Sequence, residues 1–410
     1  MKILHTADIH LDSPLKSLAL RNEDLRTKVQ SATRTALVRL VDSAIDLEVA
    51  ALLISGDLYD SAERSAKTAA FLSGQMERLR SAGIPVFYIK GNHDAENPIT
   101  GEVALPENVH VFGARGGKVK IPQSDVWIHG VSFSSKHAPD SLLPKFGEPV
   151  PDAVNIAMLH TSLSGAVGHD PYAPCTLNQL RDLGFDYWAL GHVHKRQIHS
   201  QNPWVVMPGI PQGRDIGEAG PQSASLIELG EAGMTVSALP TSVVEFTALS
   251  IPVGGCATDD AIRAEIRRHL SGFTQELQSD SAILRTTLCG ATSRRWQILR
   301  DSDAWTQTIQ DMALETGTLW VEKVAFDIAP ESDAPDNSAT GELQAIMESI
   351  RQEDAFAASL ETDVISMIND LPPSLRAALL PSEEQATSLA QNLTEQGAAQ
   401  ILARMKGASD

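Results

Sequence analysis

Short, nearly continuous apolar runs alternate with amphipathic stretches over the first 240 residues of this 410-residue chain. The runs at 2–5, 50–55, 85–89, 126–131, 155–159, 187–190 and 204–207 are rich in Val, Ile and Leu, and predict strands buried on both faces. Between the first three lie stretches 25–47 and 63–81, where apolar residues recur three and four apart, the spacing of helices buried along one stripe. Gly83 closes the second of these and Pro85 opens the next strand. Beyond Asn92 strands prevail and helices become rare. The pattern predicts a layered α/β domain over residues 1–240: a β-sandwich flanked by helices, its second half mostly β.

Near residue 240 the pattern changes. Residues 243–253 predict a strand, 258–270 a helix after a Gly-Gly break, 283–288 a strand, 303–316 a helix and 319–327 a strand, together a small α+β domain over 241–328. Residues 329–340 (APESDAPDNSAT) have the polar, Pro- and Ser-containing composition of a linker. The region 341–410 is Ala/Leu/Glu/Gln-rich and helical in pattern, broken at Pro372–Pro373 and near Pro381. Its Leu343, Ile346, Ile350, Phe356, Leu360, Ile365 and Ile368 recur at helical spacing, an apolar face that either packs on its own chain or docks on a partner.

Charge narrows the function classes. The net charge is −19, of which the last 80 residues hold −10 from 14 acidic and 4 basic side chains. Bulk positive charge therefore cannot hold a nucleic acid, and an anionic substrate would have to be held locally by metal ions or a few basic loops. No apolar run approaches the roughly 18–20 residues of a membrane span, and His5 and Asp8 interrupt any secretory apolar core at the start. Cys175, Cys256 and Cys289 fit neither a disulfide framework nor a CxxC site, so a cytoplasmic location is expected.

Five segments place acid, amide or imidazole side chains at or just after a predicted strand: ILHTADIH (3–10), LLISGDLYD (52–60), VFYIKGNHD (86–94), NIAMLHTS (155–162) and WALGHVH (188–194). In an open α/β sheet the carboxyl ends of the strands form the ligand crevice. Asp8, His10, Asp57, Asn92, His160, His192 and His194 would thus meet at one edge. Gly56, Gly91 and Gly191 precede three of these groups, where the backbone must turn. Carboxylate, amide and imidazole without thiolate suit Mn²⁺, Fe or Zn²⁺ better than a pure Mg²⁺ or Ca²⁺ cage. Seven donors suit two divalent ions sharing a bridging carboxylate, an arrangement that activates water and clamps a phosphoryl group. His93 is the candidate proton donor, with Asp94 beside it to orient the ring.

The ordered set DxH…GDxxD…GNHD…H…GHxH resembles the calcineurin-like metallophosphoesterases. HTADIHLDSPL, GDLYD and LGHVH are more narrowly similar to the SbcD-type DNA repair nucleases, and LHTSLSG, YAPCTLNQLRDLGFDYWALGHVHKR and PGIPQGRDI to their YhaO-like branch. The resemblance implies that Asp8, His10 and His194 hold one metal, that Asn92, His160 and His192 hold the other, and that Asp57 bridges them. It makes His93 the catalytic histidine. Asp60 stands where some relatives carry a second active-site histidine. Ile210 and Asp215 depart from the polar residue and histidine usual there. The resemblance further implies a small cap domain at 245–330, DNA as substrate, homodimerisation, and docking of the C-terminal helices on an SbcC-like coiled-coil ATPase. Lys195, Arg196 and Arg214 are the candidate phosphate contacts, and Arg115, Lys118 and Lys120 form a short basic hairpin.

The same site would equally serve a metallophosphatase or small-nucleotide phosphodiesterase, and a vestigial one would belong to a regulatory subunit. His5, His110, His129, His137, His169, His199 and His269 match no motif and are expected to be structural or exposed, and Trp188 to be core.

Overall fold

The computed structural model describes residues 1–13, 23–60, 65–96, 105–163, 172–331, 338–372, 375–376 and 384–407. Among them, β1 (Lys2–Thr6), β2 (Ala51–Ser55), β3 (Val86–Ile89) and β4 (Val109–Val111) run parallel, linked by α1 (Glu23–Asp46) and α2 (Ala66–Ser81). A second sheet contains β5 (Gly117–Lys120), β6 (Val126–Gly130), β7 (Val154–His160), β8 (Tyr187–Gly191), β9 (Gln197–Gln201) and β10 (Trp204–Met207) in the order β5-β6-β7-β8-β10-β9, with β6, β7, β8 and β10 parallel. The chain then returns to the first sheet as an antiparallel hairpin, β11 (Ser223–Gly230) and β12 (Gly233–Pro240), giving the order β12-β11-β1-β2-β3-β4.

The apolar runs are continuous because each central strand is buried on both faces. In β1 and β2, Ile3, Ala51 and Leu53 point between the sheets and meet Ile128, Ile156, Met158, Tyr187 and Ala189. Their neighbours Leu4, Leu52 and Ile54 point outward, under Leu37, Leu40 and Val41 of α1 and Leu72, Met76 and Leu79 of α2. On the far side of the second sheet, Leu159, Trp188, Leu190 and Val205 pack beneath Leu180 and Phe185. Trp188 is a core residue, as expected, and its Nε1–H donates to Leu180 O at 3.0 Å.

Polar links cross the interior near the carboxyl ends. The buried His5 sits between Tyr187 Oη (2.9 Å) and Leu190 O (3.0 Å), and Ser55 Oγ–H donates to Ala189 O (2.9 Å). Burial pushes the His5 imidazole down to about 3, so it is neutral and structural.

The chain divides into two compact units, the first formed by residues 1–248 and 276–284, the second by 249–275 and 285–410. Strands β13 (Val244–Pro252), β14 (Ser281–Ala291) and β15 (Leu319–Ala329) form a three-stranded sheet in that order. The second unit holds α5 (Asp259–Glu276, but for its last residue), α6 (Arg295–Arg300), α7 (Ser302–Glu315) and the C-terminal α8 (Ala339–Arg351), α9 (Asp354–Asn369) and α10 (Glu384–Lys406). Part of the tail packs on its own unit. Val364 and Ile368 of α9 close on Ala390 of α10, and the Lys406 ammonium lies 4.9 Å from the Trp296 ring of α6.

The structure adds elements that the pattern did not predict. In the β11–β12 hairpin β11 is buried only in part and β12 alternates exposed and half-buried positions, in place of a continuous run. A short helix α4 (Leu177–Asp182) begins at a capping box, in which Thr176 Oγ1 accepts from Gln179 N (3.2 Å) and Gln179 Oε1 from Thr176 N (2.8 Å). Helix α5 runs six residues past the expected end at 270. The middle of the 329–340 segment, residue 169, and the breaks around 373 and 381 lie outside the described residues. Among the described residues no helix is long and apolar enough to cross a membrane.

Candidate metal centre

All five chemistry-bearing loops emerge at the carboxyl ends of parallel strands. Asp8 and His10 follow β1, Asp57 follows β2, Asn92 and His93 follow β3 on a short helix α3 (Asn92–Glu96), His160 ends β7, and His192 and His194 follow β8. Three groups of ligand atoms lie within 4.8 Å of one another: Asp8, His10 and His194; Asp57, His160 and His192; and His10, Asp57 and His93. Asn92 joins the second group, its Oδ1 3.0 Å from His160 Nε2.

Close approach of the two sheets explains Gly56 and Gly191, and close approach of the neighbouring β2 and β3 loops explains Gly91. Only Gly56 has a left-handed backbone (φ 96°). A methyl group on Gly56 would strike the His160 ring, one on Gly91 the Asp57 carboxylate, and one on Gly191 the Ser55 carbonyl. At Gly91 and Gly191 the requirement is space and not the turn expected from the sequence.

The loops also brace one another. Asp8 N donates to Gly56 O (2.9 Å), His10 N to Asp57 O (3.0 Å), His93 N to Asp57 Oδ1 (2.9 Å), and His192 N to the Asp8 carboxylate (2.9 and 3.2 Å). The His160 Nδ1–H donates to Ser55 O (2.9 Å), which leaves Nε2 facing Asn92 and, at 3.4 Å, Asp57 Oδ2. The same Asp57 oxygen lies 4.0 Å from His10 Nε2. Asp57 thus stands between imidazoles of the two groups, where a bridging carboxylate belongs. His10 Nε2 and His194 Nε2 face each other at 3.2 Å beside the fully buried Asp8.

Buried charge dominates the electrostatics. Burial drives the Asp8 carboxyl above its ordinary range against the opposing pull of His160 and His194, and drives His10 well below the usual histidine value. For His160 burial acts downward, but Asp57 and Asp8 outweigh it and push the imidazole up to about 9. Oxygen and imidazole donors held dry around two carboxylates fit divalent cations, which would neutralise charge that the interior otherwise disfavours.

Around the cluster two expectations change. Asp94 does not serve as the brace of the His93 ring: its oxygens accept from Tyr59 N and Gly91 N, each at 3.0 Å, and burial beside Asp57 pushes it up to about 6. Successive side chains on a helical turn diverge, so Asp94 points inward where His93 points to the cluster. The carboxylate at the ring is Asp60, whose Oδ1 lies 3.6 Å from His93 Nδ1. Burial lowers the His93 pKa, but Asp60 and Asp57 more than offset it and leave it raised. Arg196 is a half-buried strut that donates from Nη1 to Ser225 Oγ on β11, so it is not a free arm for a phosphate. Lys195 is exposed. Arg214 reaches the cluster, its Nη2 3.0 Å from His194 Nδ1 and 2.8 Å from Glu218 Oε1. Glu218 itself, 2.6 Å from His194 Nδ1, had no signal beyond its position four residues after Arg214.

Other residues fall as expected. His129 is buried against Asn155 Oδ1 (3.0 Å), His199 lies on β9 away from the ligands, and Arg115, Lys118 and Lys120 are exposed around β5.

Residues 1–196 match the family described as calcineurin-like phosphoesterase, and residues 246–329 match the one described as metallophosphoesterase YhaO, middle domain. Fold, cluster and family match agree: over its first 196 residues the chain is similar to the calcineurin-like phosphoesterases, and the clustered carboxylate, amide and imidazole donors are of the kind that holds divalent metals. Its particular likeness is to the "uncharacterized metallophosphoesterase YhaO" of Bacillus subtilis, 36% identical over 239 residues, which cover 56% of this chain and 57% of that protein. More distant are two proteins named "DNA double-strand break repair protein Mre11". That of Methanosarcina mazei is 26% identical over 264 residues (62% of this chain, 40% of that protein), and that of Methanosarcina acetivorans 24% identical over 372 residues (84% and 55%). The chain spans about half the length of the curated relatives it matches.

Proposed function

We propose that this chain is a two-metal phosphodiesterase that cuts DNA, the nuclease subunit of an SbcC–SbcD-like repair complex. The observation that carries the reading is Asp57 Oδ2, 3.4 Å from His160 Nε2 and 4.0 Å from His10 Nε2, between two groups of buried and half-buried donors. Asp8, His10 and His194 would hold one ion, Asn92, His160 and His192 the other, and Asp57 both, with Mn²⁺ the best fit to this oxygen–imidazole set. Two such ions supply the charge that neutralises phosphate oxygens and the acidity that activates water. They also explain how a chain of net charge −19 can hold an anionic polymer.

The protein's own contribution is proton management. His93, about one-third exposed at the mouth of the cluster, holds a proton for the leaving oxygen, and Asp60 keeps the ring turned toward it. Relatives named for double-strand break repair support DNA as the substrate. On α8, Ile346 and Ile350 are 56% and 39% exposed one helical turn apart, which supports docking of the tail on the coiled coil of an ATPase.

The test is to purify the chain, measure its bound metal, and follow Mn²⁺-dependent cleavage of duplex ends with and without a co-purifying ATPase and ATP. His93→Ala should keep fold and metal but lose cleavage by roughly 10²–10⁴-fold. Full cleavage by folded His93→Ala would overturn the role of His93. Turnover of small phosphodiesters without any DNA cleavage would overturn the substrate.

A further inference from the structure

Among the ligand histidines, His194 has its Nδ1 against a carboxylate. His160 Nδ1 donates to a backbone carbonyl, and the buried His10 Nδ1 makes no hydrogen bond among the described residues. At His194, Glu218 Oε1 lies 2.6 Å from Nδ1. The same ring nitrogen has a competitor. Arg214 Nη2 stands 3.0 Å away, and a guanidinium can only donate. A single nitrogen cannot donate to Glu218 and accept from Arg214 at once.

Glu218 resolves the competition by occupying both neighbours. It takes Arg214 N on Oε2 (2.7 Å) and Arg214 Nη2 on Oε1 (2.8 Å), so the guanidinium is satisfied without the imidazole. The Glu218 carboxylate thus faces three donors, His194 Nδ1–H and Arg214 Nη2–H at Oε1 and Arg214 N–H at Oε2, and serves all of them as acceptor. As acceptor, Glu218 fixes the proton on His194 Nδ1. The Nε2 lone pair then faces His10 Nε2 and Asp8, where a ligand must be bare.

We infer that Glu218 is a positioning residue for metal binding: it sets the His194 tautomer against Arg214, and thereby decides the affinity of the Asp8–His10–His194 position while leaving the Asp57–His160–His192 position untouched. The inference rests on the two-ion reading above, but not on DNA as the substrate. Without Glu218 the Arg214 guanidinium turns to Nδ1, the proton moves to Nε2, and His194 ceases to be a ligand.

The experiment is Mn²⁺ titration of the full metal-stripped chain by equilibrium dialysis, with electron paramagnetic resonance to separate a coupled Mn²⁺ pair from a single ion. Glu218→Ala should weaken one of the two ions by roughly 10- to 100-fold and replace the coupled spectrum by that of a lone ion. Glu218→Gln keeps an acceptor but not the charge, and should lose less. The double variant Glu218→Ala/Arg214→Ala removes the competing donor and should regain part of the affinity. Wild-type affinity for both ions in folded Glu218→Ala, equal loss of both ions, or no recovery in the double variant would each overturn the inference. If Glu218→Ala does not fold by circular dichroism, Glu218→Gln decides: unchanged affinity overturns the inference and a several-fold loss of one ion supports it. A wild-type chain that binds two Mn²⁺ but cuts no DNA would overturn the nuclease reading alone, whereas one that binds no Mn²⁺ would overturn both.

Discussion

Gly191→Ala tests whether the two sheets leave room for a single methyl group at the head of the site. Gly191 ends β8 with no left-handed φ, so backbone strain plays no part. The added Cβ would overlap Ser55 O and approach Ala7 Cβ and His160 Nδ1, each to 3.0 Å. Ser55 cannot retreat easily, because β2 is paired on one side with β1 and on the other with β3. Overpacking of this kind costs about 1–3 kcal/mol. Displacing Ser55 O also strains its hydrogen bond from His160 Nδ1 (2.9 Å), worth about 1 kcal/mol net. The stiffer unfolded chain offsets about 0.4–1 kcal/mol. The balance is a loss of roughly 1–3.5 kcal/mol in the first unit, centred near 2.

Urea unfolding followed through the buried Trp188 reads this directly. With a slope of about 2–3 kcal/mol per molar, the midpoint should fall by about 1 M, and Mn²⁺ affinity should fall with it. Gly74→Ala is the matched control. Gly74 lies exposed in α2 with nothing within 4 Å of an added methyl group, so alanine should add about 0.5–1 kcal/mol by helix propensity. A wild-type midpoint and wild-type Mn²⁺ affinity for Gly191→Ala would refute the close-approach account of this glycine.

Asp60→Asn should lower kcat by at least about tenfold with little change in KM, since the ring it orients acts in the transition state; steady-state kinetics check this, and an unchanged kcat sinks it. Chelation of the ions should destabilise the first unit by about 2.7 kcal/mol per ion relative to metal at 100 times its Kd, read as a lower melting temperature with EDTA and reversed by Mn²⁺. His5 should make stability fall on acidification. Its folded pKa of about 3 lies below the ordinary 6.5, so between those values the unfolded chain binds the extra proton and stability rises with pH. His5→Phe loses the links to Tyr187 and Leu190 and should be less stable at pH 7, yet its urea midpoint should change less between pH 6.5 and 4. An equal or steeper slope in the variant would exclude His5 as the source.

Much of the fold was legible because burial on two faces leaves few polar residues in a strand, and β1, β2, β3, β7 and β8 all carry largely apolar runs. The β11–β12 hairpin hid in alternation, since its outer residues meet solvent and dilute the apolar signal. The ligand set was legible for a related reason: each donor follows a strong strand, and parallel strands end on one edge. Glu218 follows no strand. It sits on a three-residue 3₁₀ turn, Ile216–Glu218, so only the folded chain brings it to His194. Asp60 and Asp94 each follow a ligand of the same cluster by two or three residues, and composition cannot tell which carboxylate turns inward.

Four residues of the cluster share a costly conformation. Asp8 (φ 52°), His10 (φ 43°), Asp57 (φ 52°) and His192 (φ 102°) all occupy the left-handed region, at about 1–2 kcal/mol each for a residue with a Cβ. The sheet ends hold them there through Asp8 N to Gly56 O, His10 N to Asp57 O, and His192 N to Asp8. If the protein alone imposes this geometry, the preference between glycine and alanine at position 192 must be inverted even without metal. At Gly74, alanine should be the more stable by about 0.5–1 kcal/mol; at 192, His192→Gly should exceed His192→Ala by about 1 kcal/mol or more, measured by urea unfolding in EDTA. The two variants lack the same imidazole, so lost ring packing and lost ligation cancel in the comparison. Were His192→Ala at least as stable as His192→Gly, the strained backbone would be absent from the metal-free protein. The ions, and not the interlocked loops, would then be what organises the site.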